Sequence, residues 1–276
     1  MSAPGARPLL LGVHYSPWSL RARWMLDHHG IDYDYREHLP MVGEWRLRWL
    51  ARGQAGPVSV PLLVLPEGQV LLDSWDIACW ADWQVESPEA SMIPNEQAVA
   101  IKEVHDEADA FCEAGRVLVL KATMGSRTAL AEQLEGLVPR FARSALAGMS
   151  AQGARFLRRK YGVSNDFREA ETTMRRILTS WIKQLGLEDA SEDPDDRNET
   201  PPRWLFEHRR TYADVVVALA LGFVQPRKAA KLGPGTRESW TREALLDTAG
   251  PLLRWREQVL GPSEDASDPN EPTHSG

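Results

Sequence analysis

Up to about residue 86 the chain alternates strand-like and helix-like stretches, and from about residue 96 onward every patterned segment has the period of a helix. That change of pattern limits the folds open to it more than any single residue does. Leu9-Leu10-Leu11-Gly12-Val13 is a short apolar run of the kind that forms a buried strand. Ser16 and Pro17 then supply an N-cap residue and a proline for the first helical position, and the pattern that follows predicts a helix over about 19–29, closed by Gly30. Ile31 to Glu37 alternates apolar and polar residues and reads as a second strand. A strand, a helix and a strand in this order form a right-handed parallel unit.

After a segment rich in tryptophan and arginine, from Pro40 to Pro57, Val58 to Leu65 reads as a strand. Pro66-Glu67-Gly68 is a turn signal, and Gln69 to Leu72 a short return strand of a hairpin. Asp73 or Ser74 is placed to cap a helix carrying Trp75, Ile77, Ala78, Cys79 and Trp80 and ending near Val85. The expected class is therefore α+β: a thioredoxin-like β-α-β-β-β-α domain over 7–86, then an all-helical domain over 96–260. Helices are expected at 97–122, 127–148, 150–161, 166–185, 211–224 and 237–259. The first six residues and the tail over 261–276 are expected to be unstructured, and Glu188 to Pro202, dense in Asp, Glu and Pro, to be a solvated loop.

Composition narrows the function classes. No apolar run approaches the roughly 18 to 20 residues of a membrane span, and the N-terminus lacks the regions of a secretion signal, so the expected location is cytoplasmic, away from membranes. A formal charge of −7 argues against nucleic acid as a partner, and the basic cluster at Arg155, Arg158, Arg159 and Lys160 has no interleaved aromatics. Cys79 and Cys112, the only two cysteines, give neither a disulfide framework nor a metal-ligand set, and no metal is expected. The 11 tryptophans fall mainly in helical segments, where their simplest role is packing between helices.

Three elements of the first domain carry the chemistry. Ser16 stands at a helix start, where unpaired backbone N–H groups and the helix dipole favour an anion, although a serine before a proline is also one of the commonest ways to begin any helix. Val60-Pro61 begins a strand, and a buried proline there is open to a cis bond that would leave the Val60 backbone facing the site. Asp73-Ser74 is a second helix start, suited to a carboxylate. Together they describe a groove for a short anionic peptide.

The run Tyr15-Ser16-Pro17-Trp18-Ser19-Leu20-Arg21-Ala22-Arg23, then Val60-Pro61-Leu62-Leu63-Val64 and Leu72-Asp73-Ser74-Trp75-Asp76-Ile77-Ala78, resembles the N-terminal domain of soluble glutathione S-transferases, here with a serine-type site. Thr211-Tyr212-Ala213-Asp214 is similar to that family's capping box on a buried central helix, which serves folding. The resemblance implies a detoxifying transferase, homodimeric as the family usually is. It implies glutathione with its γ-glutamyl end at Asp73 and Ser74, its cysteine backbone at Val60 and Pro61, and its sulfur at Ser16, the catalytic residue, beside Trp18. His105, Asp109, Phe111, Cys112 and Arg116 would line the pocket for a small hydrophobic electrophile if the first long helix of the second domain faces the groove. Tyr15 is a competing hydroxyl donor, and Arg46, Arg48 and Gln54 are candidates for the glycine carboxylate. Ser16-Pro17-Trp18-Ser19 has the shape of a glutaredoxin Cys-Pro-x-Cys site with serine at both cysteine positions, which argues against dithiol exchange. A glutathione-dependent isomerase or lyase, or a non-catalytic binding or interaction protein, would fit the same residues.

Overall fold

Strand β1 (Leu9–Gly12) lies inside a four-stranded sheet of order β2-β1-β3-β4. The computed structural model describes residues 7–39, 43–54, 58–132, 159, 162, 166–188, 203–206 and 208–261, in two compact units that divide between Pro94 and Asn95.

In the first unit β1 leads through α1 (Pro17–His28) to β2 (Asp34–Glu37), which pairs with it in parallel. Helix α2 (Glu44–Leu50) comes next, then β3 (Leu62–Val64) and β4 (Val70–Leu71), each antiparallel to its predecessor in the sheet, and α3 (Ser74–Trp83). Leu11 and Leu62, opposite each other in register, form one core layer with Leu47 of α2, Ala51 and Val58. Leu10 and Leu63 alternate to the other face and are fully buried. Helices α1 and α3 pack on each other, burying Ala22, Met25 and Leu26 on one and Ile77, Ala78 and Ala81 on the other.

The strands are shorter than the sequence pattern predicts. Gly30, at φ 63°, turns the chain out of α1 while the Ile31 amide still donates to the Leu26 carbonyl, so pairing starts only at Asp34. Pro61 has no N–H for the ladder, and β3 begins after it. The Asp82 carboxylate then ties the unit together, bonded to His29 Nε2 at 3.1 Å, Ser91 Oγ at 2.7 Å and the Met92 amide at 2.6 Å. Burial raises the Asp82 carboxyl, but these hydrogen bonds outweigh it and hold the group below the usual carboxylate range.

Helix α2 lies in the segment for which the sequence pattern predicts no element. Its signal is hidden because only Leu47 points fully inward, while Trp45 and Trp49 are 68 % and 57 % exposed. The expectation that the tryptophans pack between helices holds for Trp181, Trp240 and Trp255, which are buried, and fails for Trp45, Trp49 and Trp83.

In the second unit α4 (Ala98–Gly125), α5 (Arg127–Glu132), α6 (Phe167–Gln184), α7 (Tyr212–Ala220), α8 (Pro234–Trp240) and α9 (Glu243–Leu260) are the α-helices among the described residues. Every residue of α7 is buried, as an element apolar all round must be, and it packs against α4 and α9. At Gly115 of α4 a Cβ would stand 2.6 Å from Phe223, so glycine permits the chain beyond α7 to press onto α4. The Thr211–Asp214 capping box is formed: the Asp214 carboxylate accepts from the Thr211 amide at 2.8 Å, from the Thr211 hydroxyl at 3.1 Å and from the Leu205 amide at 2.8 Å.

The helix expected over 237–259 is two helices. Between them the Arg242 amide donates to the Val224 carbonyl at 2.8 Å, which takes that residue out of the helical ladder. Of the helices expected at 127–148 and 150–161, only residues 127–132 and 159 lie among the described residues; 189–202 and 262–276 also lie outside them. Among the described residues no helix is long and apolar enough to cross a membrane, and no group of three or more His, Cys, Asp or Glu is placed to hold a metal ion.

Candidate functional site

Strand register brings the three sequence elements to one end of the sheet. Leu11 lies opposite Leu62, so the chain leaves β1 toward Ser16 at the same end where Val60-Pro61 enters β3. Leu63 lies opposite Leu71, so β4 also ends there and delivers Asp73-Ser74. Parallel pairing of Gly12 with Glu37 brings the end of β2 to this edge as well. The N-termini of α1 and α3 therefore open on the same edge, where two helix dipoles and their leading amides favour negative charge.

Each residue is fixed by local bonds. The Ser16 amide donates to the Val13 carbonyl at 2.9 Å, and the Ser16 carbonyl accepts the first intrahelical bond from Leu20 at 2.9 Å. The Ser16 side chain, half-buried, makes no capping hydrogen bond. Ser19 differs: it is fully buried, and its hydroxyl accepts from the Val13 amide at 3.0 Å, so it holds the loop that presents Ser16. The Val60–Pro61 bond is cis, with Pro61 buried and Val60 half-buried. Asp73 is the N-cap of α3, its carboxylate accepting from the Asp76 amide at 2.8 Å, and Ser74 behind it is buried.

Sequence reasoning missed a polar cluster beside Ser16. The Glu37 carboxylate accepts from the His14 amide at 3.2 Å, lies 3.0 Å from His14 Nδ1, and accepts from the Tyr35 hydroxyl at 2.7 Å. Against the upward push of burial, these bonds hold the Glu37 carboxyl below its ordinary value. Burial first, and the Glu37 charge second, push the Tyr15 hydroxyl up to about 12, so Tyr15 stays protonated in neutral solution. His14 and Glu37 are 23 residues apart, and only the parallel pairing of β1 with β2 brings them together.

Residues 15–84, which span all three elements, match the family model described as "Glutathione S-transferase, N-terminal domain". Comparison with curated proteins finds no match. Among solved structures the chain is similar to the glutathione transferase GSTFuA3 from Phanerochaete chrysosporium, at 12 % identity and a TM-score of 0.58, over 92 % of this chain and 96 % of that one. A glutathione S-transferase of Ceriporiopsis subvermispora, solved in complex with glutathione, is similar at 14 % identity and a TM-score of 0.58, again over 92 % and 96 %. The fold is that of the glutathione transferases.

The remaining candidates are more dispersed. Arg46, Arg48 and Gln54 are exposed on α2 and the turn after it, and Arg46 lies over the Trp45 ring at 5.8 Å. In the second unit His105 is buried, stacked on Tyr212 with ring centroids 5.9 Å apart and 3.5 Å from the Asp109 carboxylate one turn on. Phe111 packs on Trp181 at 5.0 Å, and Cys112 is fully buried, so both are part of the helical core. Asp109 and Arg116 are half-buried. A groove of about 970 Å³ within this unit is lined by other residues, among them Leu118, Lys121, Arg242 and Leu245.

Proposed function

We propose that the chain is a glutathione transferase-like enzyme that binds glutathione on its first unit and holds the thiolate for attack on a small hydrophobic electrophile. One observation carries the reading: the Ser16 hydroxyl stands at the head of α1 without the capping bond that would occupy it, at the sheet edge it shares with Val60 and Ser74. A capping serine is satisfied by its own helix; this one makes no such bond, which leaves its hydroxyl for a ligand.

In this reading residues 7–86 bind glutathione and residues 96–260 carry the electrophile site. Ser74 and the leading amides of α3 take the γ-glutamyl carboxylate, with Asp73, which caps that helix, beside the γ-glutamyl amine. The Val60 backbone pairs with the cysteine residue, Pro61 shapes that turn and Trp18 flanks the sulfur. A thiol with a pKa near 8.5 needs a fall of about two units, roughly 2.7 kcal/mol, to be mostly ionised at neutral pH. A hydroxyl bond to the thiolate supplies about 1.5 to 3 kcal/mol and the helix start about 0.3 to 1 more. The two together suffice, and Ser16 keeps its own proton while the sulfur, carried by the ligand, forms the new bond. Tyr15, which remains protonated, is the competing donor. His105, Asp109 and Arg116 remain candidates on the electrophile side, as Arg46, Arg48 and Gln54 do for the glycine carboxylate. The protein is proposed to act as a cytoplasmic homodimer in detoxification.

Titration calorimetry with glutathione, followed by conjugation of a generic aromatic halide, tests this in the parent and in Ser16→Ala. Millimolar or tighter binding, with a conjugation rate about 10- to 100-fold lower in the variant, is expected. Absence of glutathione binding at millimolar concentration overturns the enzyme reading in favour of a non-catalytic module. An ultraviolet-detected thiolate without conjugation points instead to an isomerase or lyase.

A further inference from the structure

A capping serine is located by the bond it makes to its own helix. The Ser16 side chain makes none, so where its oxygen stands depends on the short loop, residues 13–16, that carries it. Two side chains anchor that loop. Ser19 holds it from within α1, through the 3.0 Å bond from the Val13 amide to its hydroxyl. The second anchor comes from β2, where the Glu37 carboxylate accepts from the His14 amide at 3.2 Å.

Glu37 is itself held in place. Parallel pairing sets it beside Gly12, just ahead of the loop, and its other oxygen accepts from the Tyr35 hydroxyl at 2.7 Å. Arg23 of α1 lies over the Tyr35 ring, 4.9 Å from its centroid, so the helix headed by Ser16 also braces the residue that holds Glu37. A Cβ at Gly12 would stand 3.1 Å from the Ser19 hydroxyl oxygen and 3.2 Å from the Tyr35 ring, closer than ordinary contact. Glycine there lets both anchors close on the loop.

The charge of Glu37 does not explain its place, because a carboxylate beside a site for a thiolate works against the anion. What the residue supplies is an acceptor, engaged by an amide, by a hydroxyl and by the His14 ring, whose Nδ1 stands at 3.0 Å. We infer that Glu37 is a positioning residue: it clamps the His14 amide and so sets the Ser16 hydroxyl where the glutathione sulfur would lie. The inference rests on the thiolate reading given above and adds to it a residue that acts through Ser16.

Glu37→Ala, Glu37→Gln and Tyr35→Phe are compared with the parent, first as free protein and then in turnover. In the free protein, exchange of the His14 amide followed by NMR is expected to be about tenfold faster in Glu37→Ala and within about threefold of the parent in Glu37→Gln, whose side-chain oxygen still accepts. In turnover, Glu37→Ala should lower kcat for conjugation about tenfold with the KM for glutathione changed by less than about twofold, and Glu37→Gln should recover most of that loss. Tyr35→Phe keeps the ring under Arg23 and removes one bond to Glu37, for an expected fall of about two- to threefold. On the Ser16→Ala background, Glu37→Ala should cost less than about a further twofold, since the hydroxyl it positions is gone.

A full tenfold loss on that background overturns the inference. Glu37→Gln as slow as Glu37→Ala also overturns it, by making the charge and not the acceptor the cause. Should Glu37→Ala fail to fold, Tyr35→Phe takes its place in both comparisons. A parent that binds no glutathione at millimolar concentration overturns the thiolate reading alone. The clamp is then decided by the His14 amide, and exchange unchanged in Glu37→Ala overturns it.

Discussion

Ser16 and Thr211 occupy the same position on their helices, and the structure treats them in opposite ways. Thr211 is fully buried, and its amide and hydroxyl are both bonded to Asp214, so the cap is closed on itself. Ser16 is half-buried, and its side chain takes no part in capping α1. A side chain whose bonding capacity is used within its own helix stabilises the fold; one left open at the sheet edge has that capacity for a ligand. The same local pattern thus carries two different meanings.

The largest expected effect breaks the closed cap. Asp214→Ala leaves the Thr211 and Leu205 amides without their buried acceptor, and a loss of about 3 kcal/mol in urea unfolding is expected. A loss below about 1 kcal/mol would show that water replaces the carboxylate and that the cap is less closed than its geometry. Ser16→Ala sharpens the contrast from the other side. With no capping bond to lose, its stability should change by less than about 0.5 kcal/mol while conjugation falls as described above. A destabilisation near that of an ordinary lost cap, about 1 kcal/mol, would turn Ser16 into a second structural cap.

Asp82 adds a pH dependence to the first unit. Burial pushes its carboxyl up, but the bonds from His29 and Ser91 outweigh that and hold it below its ordinary value, so its stabilisation is complete above the unfolded carboxyl range near pH 4. It is lost as pH falls through the lowered folded value. Unfolding followed from pH 6 down to pH 3 should show parent and Asp82→Asn differing by about 1 to 2 kcal/mol at the upper end and converging at the lower. A constant difference across that range would mean that the bond geometry, and not the charge, matters.

The smallest effect concerns α8. The Glu132 carboxylate accepts from the Gly235 amide at 2.9 Å and the Thr236 amide at 2.7 Å, serving as a cap supplied from 103 residues away. Glu132→Gln should cost about 0.5 to 1 kcal/mol in thermal unfolding, since an amide oxygen still accepts but the charge facing the helix start is gone. An unchanged midpoint would show that α8 needs no charge at its head.

Local signals in the sequence carried most of the architecture. The Leu9–Val13 run, the turn at Pro66-Glu67-Gly68 and the Thr211–Asp214 box are short-range patterns, and each lies where the structure forms its strand, hairpin or cap. Helix α2 was not legible, because a helix with one buried leucine and two exposed tryptophans has no apolar face for periodicity to detect. The break at Arg242 was hidden for a different reason: the bond that makes it comes from Val224, outside the segment.

By itself the sequence determined which residues start helices, which runs enter the sheet, and that Ser16, Val60-Pro61 and Asp73-Ser74 are the chain's concentrated chemistry. Those properties reside in neighbouring residues and survive without a fold. Tertiary structure decided that the three meet at one sheet edge, that Ser19 braces the loop while Ser16 is left open, and that Glu37 gathers His14 and Tyr35 beside them. Strand register and burial set those outcomes, and both depend on contacts between residues that no local pattern connects.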